Sequence, residues 1–148
     1  MNGFLVKRVL RKRSVRAFFC YARVDRDTVH SLYMRLRKDS VDVWLDKENL
    51  QPGQNWQHEI REAILKSDVV IVCISRGFDK QHGYRHEELK IALEKARSFA
   101  DDEIFIIPAR LEKCEMPESL RHLHRVDLFE PGGYKNLIHT LRDHILSK

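Results

Sequence analysis

A short apolar segment in the middle of the chain sets the strongest constraint on the fold. Val69–Ile74 is an unbroken run of apolar residues, and all of them except Cys73 are β-branched. A run of this length and composition is typical of a strand buried on both faces of a parallel sheet. The helix predicted after the next loop carries one apolar stripe, at Leu89, Ala92, Leu93 and Ala96. Ligands of open α/β sheets bind beyond the carboxyl ends of the strands, so this loop and the first helical turns are the predicted site.

Similar apolar segments recur along the chain and alternate with amphipathic helices. Further strands are predicted at residues 15–21, 41–45, 104–109 and 125–129. Asp25 and Asn55 are the expected N-caps of the two helices before the central strand, and Trp56 is expected to open a buried helix face. The closing helix, predicted over residues 134–146, has an inward face of Leu137, Ile138, Leu141 and Ile145. This alternation predicts βαβ units, a parallel sheet and right-handed crossovers.

Length and charge describe one globular domain with a basic arm in front of it. The 148 residues are enough for a single core, and no apolar run approaches the roughly 18 residues of a membrane span. The first 16 residues hold six basic residues and no acidic one, whereas the remainder has one more acidic than basic residue. We therefore assign residues 1–14 to an arm and residues 15–148 to the domain. Such an arm is more often solvated than bound to nucleic acid, so no specific nucleic acid partner is expected.

The cysteines and histidines indicate neither a disulfide framework nor a metal site. Cys20 and Cys73 fall within predicted strands, where a free cysteine behaves as a small apolar residue, and there is no CxxC pair. This pattern is typical of a cytoplasmic protein. His122 and His124 lie close together in sequence, but without a third ligand in view no metal site is predicted.

Two common families with this architecture are excluded by specific residues. A phosphoryl-accepting receiver domain needs acidic residues directly after the first strand and an aspartate after the third. The chain has Tyr21, Ala22 and Arg23 at the first place and Ser75 at the second. A dinucleotide-binding Rossmann unit needs a GxGxxG turn, and residues 20–27 contain no glycine. Fold alone does not give the function, so other residues must decide it.

Three blocks of sequence carry a resemblance to one family. They are AFFCYARVDRD at the first strand, VWLDKENLQPGQNWQHEIREAILKSDVVIVCIS from the second strand through the third, and GYRHEELKIALEKA after it. In this order and spacing they resemble a TIR (Toll/interleukin-1 receptor) domain over about residues 15 to 146. The segment IIPARLEKCEMPESLRHLHRVDLFEPGGYKNL is similar to the carboxyl-terminal part of bacterial-type TIR domains. The resemblance implies a flavodoxin-like α/β fold, with a five-stranded parallel sheet and helices on both faces.

The resemblance implies an enzymatic function for one class of relatives, which cleave NAD+ at the nicotinamide–ribose bond. They use a glutamate near the start of the helix after the third strand, with an aromatic residue four positions earlier. These positions correspond here to Glu88 and Tyr84, which share one side of the predicted helix. The family more often has tryptophan at the place of Tyr84. Glu87 is the alternative if the register differs by one residue. Glu88 lies near the edge of the apolar stripe, where a carboxylate is partly sheltered yet faces a cleft, although from position alone a solvated glutamate is the more common case.

The resemblance also assigns residues to the nucleotide cleft and to self-association. The cleft-lining positions of enzymatic relatives correspond to Tyr21, Arg23, Asp46, Trp56 and Tyr84. The self-association loop after the second strand corresponds to Lys47, Glu48, Asn49, Leu50, Gln51, Pro52 and Gly53. Structural roles stay open for several cleft positions: Trp56 as core, Asp46 as a loop cap and Tyr21 as strand packing.

The resemblance leaves two functions open. The first is an NAD+ glycohydrolase, or a cyclase that forms cyclic ADP-ribose, which is activated by homotypic TIR–TIR assembly and acts in bacterial antiviral defence or signalling. NAD+ is then the substrate, and no cofactor is expected. The second is a non-enzymatic scaffold or adaptor that only assembles. In either case a fused or separate sensor domain is an expected partner.

Overall fold

The computed structural model describes residues 14–44, 50–78 and 84–145, without the side chains of residues 84–86. The strands are β1 (Arg16–Cys20), β2 (Asp42–Trp44), β3 (Val69–Ile74), β4 (Ile106–Arg110) and β5 (Val126–Asp127). The helices are α1 (Arg26–Lys38), α2 (Trp56–Lys66), α3 (Tyr84–Ala96) and α4 (Gly133–Thr140). Short 3-10 turns lie at Arg23–Asp25 and Glu118–Leu120. Within these ranges, no helix combines the length and the apolar character needed to cross a membrane.

The five strands form one parallel sheet in the order β2-β1-β3-β4-β5. β3 has the predicted bounds, and each of its residues is buried, as expected for an interior strand. The predicted flavodoxin-like α/β fold is confirmed. β1, β4 and β5 are shorter than the apolar runs that predicted them.

Side chains of successive strand residues alternate between two apolar clusters, one on each face of the sheet. Phe19 and Ile71 pack with the buried faces of α1 and α4. Phe18 and Val72 pack with those of α2 and α3. Cys73 belongs to the first cluster and Cys20 to the second, so the sheet itself separates these two thiols.

The starts of two helices differ in how far the local sequence determines them. The Asn55 side chain accepts a 3.2 Å hydrogen bond from the His58 amide, which confirms the predicted N-cap of α2. Asp25 takes the predicted N-cap position of α1, but its side chain makes no capping hydrogen bond. The Asp25 carboxylate instead accepts a hydrogen bond from the Ser75 hydroxyl, which lies beyond the end of β3. A tertiary partner has replaced the local one.

The prediction that Trp56 opens the buried face of α2 is wrong. Ile60 and Ile64 form that face, whereas Trp56 is 42 % exposed. Trp56 is the first helical residue and precedes Ile60 by a full turn, so it lies beyond the part of the helix that covers the sheet.

The end of the chain is helical with an unpredicted change of pitch. α4 ends at Thr140 and continues as a π turn over Leu141–Ile145, which keeps all four predicted inward residues buried. Gly133 starts α4 very close to the sheet, because a Cβ there would lie 2.1 Å from the Asp127 carbonyl oxygen. Glycine is therefore required at this position.

Candidate functional site

The turns after β1 and β3 lie side by side at the carboxyl edge of the sheet. Cys20, the last residue of β1, pairs with Val72 of β3. The chain leaves β1 towards β2 on one side, while β3 lies on the other, so this edge is the topological switch point. Doubly wound sheets bind their ligands at such a point.

The turn after β1 presents one cation to solvent. Ala22 is fully buried, and Tyr21 is half-buried against the cluster under α1 and α4. Arg23 begins the 3-10 turn Arg23–Asp25 and is exposed. An exposed guanidinium at the switch point is accessible to an anionic group such as a phosphate.

The turn after β3 is joined to the turn after β1 through Ser75. The Ser75 hydroxyl donates to Oδ2 of Asp25, and its Oγ accepts a 3.2 Å hydrogen bond from the Gly77 amide. A Cβ on Gly77 would lie 2.8 Å from Cγ1 of Val24, so the two turns are also in close van der Waals contact. We call Asp25, Ser75 and Gly77 the interturn joint.

The other side of the β3 exit is held by the chain that follows β4. The Leu111 amide donates to the Ile74 carbonyl at 2.8 Å, and the Arg76 amide donates to the Glu112 carboxylate at 2.8 Å. Phe78, 2 % exposed, then closes the turn by donating its amide to the Ser75 carbonyl at 3.1 Å. The β3 exit is thus fixed between its two neighbours.

Glu88 lies on the second turn of α3 and is buried. Its residue exposure is 3 %, and solvent does not reach its Oε2 atom, whereas Glu87 is exposed. The next residue, Leu89, packs in the cluster that also contains Phe78 and Cys20. The burial is more complete than the partly sheltered position expected from the sequence. Because desolvating a carboxylate costs several kcal/mol, a glutamate at this depth needs a reason to be there.

α2 and α3 pack side by side and begin at the same edge of the sheet. Near their other ends, Nζ of Lys95 in α3 donates to the carbonyls of Leu65 and Ser67, at 2.6 and 3.0 Å. The two helices therefore run in parallel, with Trp56 and Tyr84 as their first residues. Their amino-terminal ends place two positive helix-dipole ends near the switch point.

Part of the expected site lies outside the described residues. Asp46, Lys47, Glu48 and Asn49 do so, as does the side chain of Tyr84, although Tyr84 is the first residue of α3.

The described part of the predicted self-association loop begins at Leu50, which is half-buried, and residues 51–53 are exposed. Gln54 donates its amide to the Gln51 carbonyl at 3.1 Å, and Gly53 has φ 90°, which is the turn expected for a Pro-Gly pair.

The carboxyl ends of β4 and β5 are joined by ion pairs. Arg110 donates from Nε and Nη2 to the two carboxylate oxygens of Asp127, at 2.7 and 2.8 Å. It also donates from Nη1 to the Cys114 carbonyl at 2.7 Å, and Arg125 adds a 3.2 Å bond to Asp127. The Arg110 guanidinium lowers the pKa of the Asp127 carboxyl below its usual value. These charges hold strands together.

The described cavities lie away from the switch point. A groove of about 340 Å³ runs between β2 and α2, with Trp44 and Glu62 among its lining residues. Two further cavities, of about 200 and 300 Å³, lie near the amino end of β4.

Among the residues that the structure describes, no three His, Cys, Asp or Glu side chains form a group suited to a metal ion. Burial raises the pKa of the Cys73 thiol far above its usual value, so Cys73 is a neutral core residue.

The structure adds three residues that the sequence reasoning did not select: Ser75, Gly77 and Asp25 in a new role. Ser75 served only to exclude a receiver domain, although a serine at the end of a buried strand is a local signal of a polar contact. Its partner is 50 positions earlier in the chain, so no local pattern predicts that contact.

Comparison with known proteins gives a family and a fold. The family model described as TIR domain matches residues 17–141. The uncharacterized protein y4cD of Sinorhizobium fredii (strain NBRC 101917 / NGR234) is 28% identical over 110 residues, which cover 73% of this chain and 17% of that protein. The chain thus spans a small part of that relative's length.

Two solved structures are similar to the chain. The TIR domain of the Toll-related receptor TRR-2 from Hydra magnipapillata has a TM-score of 0.71 and 26% identity, over 86% of this chain and 98% of that one. The CMP N-glycosidase BcmB of Clostridium botulinum has a TM-score of 0.54 and 18% identity, over 86% of this chain and 97% of that one. The second likeness is one of fold.

Proposed function

The chain belongs to the TIR domain family, and we propose that it cleaves NAD+ between nicotinamide and ribose, with Glu88 as the essential carboxylate. The observation that carries this proposal is the burial of Glu88 on α3, beside the switch point, while Glu87 is exposed. A helical glutamate with no special task is normally solvated. The site position and the burial together favour the functional role.

One carboxylate is enough for the proposed reaction. The bond between ribose C1′ and the nicotinamide nitrogen breaks, and its electron pair leaves with the ring, which changes from a pyridinium cation to neutral nicotinamide. Positive charge develops on the ribose in an oxocarbenium-like transition state. The Glu88 carboxylate stabilises this charge electrostatically, most strongly where water is excluded. Water then forms the new bond to C1′ and releases a proton, which gives ADP-ribose.

Other groups at the switch point fit the rest of the substrate. Arg23 binds the diphosphate or orients the ribose, assisted by the amino-terminal ends of α2 and α3. Aromatic surface from Trp56, Tyr21 and Tyr84 stacks on the bases, and Asp46 accepts hydrogen bonds from hydroxyl groups. If an adenine nitrogen attacks C1′ instead of water, the product is cyclic ADP-ribose.

We propose that assembly of several copies activates the site. At 3 % exposure, Glu88 cannot contact a ribose until neighbouring groups move. Loop residues 47–53 of one copy contact the next copy and drive this opening, and residues 51–53 are exposed and available for such a contact. Turnover is then expected to rise more than linearly with protein concentration.

The comparisons support this proposal at the level of the fold. BcmB is named as an enzyme that cleaves the N-glycosidic bond of a nucleotide, so a sheet of this topology is compatible with such chemistry. The relative y4cD is much longer than the matched region, which supports a sensor elsewhere in a larger protein. We place the activity in the cytoplasm, as an effector in bacterial antiviral defence or signalling.

Nicotinamide release from NAD+ tests the proposal directly. The native chain, Glu88→Gln and the matched control Glu87→Gln are compared at high protein concentration and as fusions to a multimerising partner. We expect Glu88→Gln to lose at least about 100-fold in kcat, while Glu87→Gln stays near native. Solution scattering checks that the three proteins associate alike. Absence of nicotinamide from the native fusion would exclude the enzymatic function.

A non-enzymatic scaffold is the second candidate, and the similarity to a receptor's TIR domain favours it. In that case the exposed residues 51–53 serve assembly alone, and Glu88 is a structural residue. The same assay separates the candidates, because a scaffold assembles without releasing nicotinamide and loses stability rather than turnover on Glu88→Gln.

A further inference from the structure

We infer that Asp25 and Ser75 are positioning residues of the proposed NAD+ site. Their hydrogen bond fixes the turn that carries Arg23 against the turn that leads into α3 and Glu88. The inference rests on the proposed function and adds to it two residues that contact no substrate themselves. The interturn joint then keeps the Arg23 guanidinium and the Glu88 carboxylate at a fixed distance and orientation relative to each other.

On one side of the joint, Asp25 determines where Arg23 lies. Asp25 is the last residue of the 3-10 turn that Arg23 begins, and its amide donates to the Ala22 carbonyl at 2.9 Å. Ala22 is fully buried, so this turn is anchored at its start by packing and at its end by the Asp25 carboxylate. A shift of Asp25 therefore moves Arg23.

On the other side, Ser75 satisfies both of its hydrogen-bonding functions within the joint. It is 6 % exposed, donates to Asp25 and accepts from the Gly77 amide. A buried hydroxyl that both donates and accepts has its rotamer fixed. The Gly77 backbone also lies close to Cγ1 of Val24, so van der Waals contact between the two turns adds to these hydrogen bonds.

The position of this turn is passed on to α3 through Phe78. Phe78 is 2 % exposed and belongs to the same apolar cluster as Leu89, the residue after Glu88. Because packed interiors transmit displacement, a change at Ser75 reaches the turn of α3 that holds the carboxylate. Misplacement of a catalytic group by about 1 Å can cost roughly 100-fold in rate.

The choice of partner made by Asp25 favours positioning over plain stabilisation. An aspartate before a helix normally caps it by accepting a hydrogen bond from an amide of the first turn, which stabilises the helix. Asp25 makes no such capping bond and instead reaches a residue 50 positions away. Departures from a local rule of this kind are expected at functional sites.

Substitutions at the joint test the inference through nicotinamide release. We expect Asp25→Ala and Ser75→Ala to lower kcat roughly 10- to 100-fold, with a smaller change in KM, since the alignment of the reacting groups is lost. The double variant should be no slower than the slower single variant, because the two residues act as one unit. Asp25→Asn retains an accepting oxygen and should recover most of kcat. Asp27→Ala and Ser31→Ala, both exposed on α1, are the matched controls.

A steric pair tests the same joint without removing a hydrogen bond. In Gly77→Ala the new Cβ collides with Cγ1 of Val24, so kcat should fall. Val24→Ala removes that methyl group, so the double variant Gly77→Ala with Val24→Ala should regain kcat. Circular dichroism and thermal unfolding establish the folded fraction of each protein, and rates are expressed per folded molecule.

The outcomes separate this inference from the function on which it rests. Native kcat per folded molecule in Asp25→Ala and Ser75→Ala, together with an inactive Glu88→Gln, overturns the positioning role and leaves the proposed function intact. A native chain that releases no nicotinamide even as a forced multimer overturns both. Lower kcat without recovery in Asp25→Asn or in the steric pair also counts against positioning.

Discussion

The two halves of the carboxyl edge of the sheet are held together by different forces. At the ends of β4 and β5, Arg110 and Arg125 hold Asp127 through bonds of 2.7 to 3.2 Å. At the ends of β1 and β3, the Ser75 hydroxyl connects the Asp25 carboxylate to the Gly77 amide, and close packing adds to this connection. One end is joined by pairs of opposite charges, and the other by hydrogen bonds to a neutral hydroxyl.

This difference separates stability from ligand binding. The charges at the β4–β5 end are engaged with one another, so their removal should destabilise the protein without touching the site. At the β1–β3 end, the cation Arg23 is exposed, and the acid Glu88 is buried next to Leu89, a residue of the apolar cluster. Changes there should affect turnover more than stability.

The largest effect on stability is expected from Asp127→Ala. It removes the three charged hydrogen bonds to Asp127 and leaves the Arg110 guanidinium, 11 % exposed, short of its main partner. The free energy of unfolding should fall by about 2–3 kcal/mol in urea denaturation. Asp102→Ala, at an exposed acidic position, should stay within about 0.5 kcal/mol of native. An equal loss at both sites would contradict the structural role of Asp127.

The pH dependence of stability should show the same ion pair. Because the pKa of Asp127 is lowered in the folded state, its contribution is complete above the unfolded pKa of about 3.9. It is lost as the pH falls through the folded pKa. The difference in unfolding free energy between the native chain and Asp127→Asn, measured by urea denaturation, should therefore be large at pH 7 and should disappear in strong acid. A difference that does not change with pH would show that the carboxylate charge is irrelevant.

A smaller loss is expected from Asn55→Ala, at the start of α2. The variant loses the hydrogen bond from the His58 amide, which should cost about 1 kcal/mol of stability in thermal unfolding. Asn55→Asp keeps a capping oxygen and should remain near native. The exposed neighbour Gln57→Ala provides the control within the same helical turn. No difference between Asn55→Ala and Gln57→Ala would refute the cap.

A change in stability no larger than that of the cap is expected at Trp56, where the affinity for substrate should respond as well. Since Trp56 is 42 % exposed, Trp56→Ala should lower the unfolding free energy by about 1 kcal/mol or less, well below the loss for a core aromatic residue. Loss of base stacking should raise KM for NAD+ by about 2- to 10-fold. Trp56→Phe, which keeps an aromatic ring, should recover most of this. A large loss of stability with an unchanged KM would show that Trp56 is a structural residue and not a substrate-binding one.

The sequence predicts those features that depend on periodicity and composition. The bounds of β3, the sheet type and the inward face of the closing helix all follow from apolar spacing. The resemblance selects Glu88 over Glu87, and in the structure Glu88 is the buried one of the two. The two failures have different physical causes. Asp25 bonds to a distant residue, Ser75, rather than to its own helix, whereas Trp56 is left 42 % exposed at the first position of α2.

Both outer strands of the sheet are short, three residues in β2 and two in β5. Long, flat edge strands are the templates on which chains add to one another through their backbones and form fibres that do not come apart. Edge strands this short offer few unpaired backbone groups to which another chain could add. In the assembly proposed above, side chains and loops would then provide the contacts between copies, and contacts of that kind are reversible.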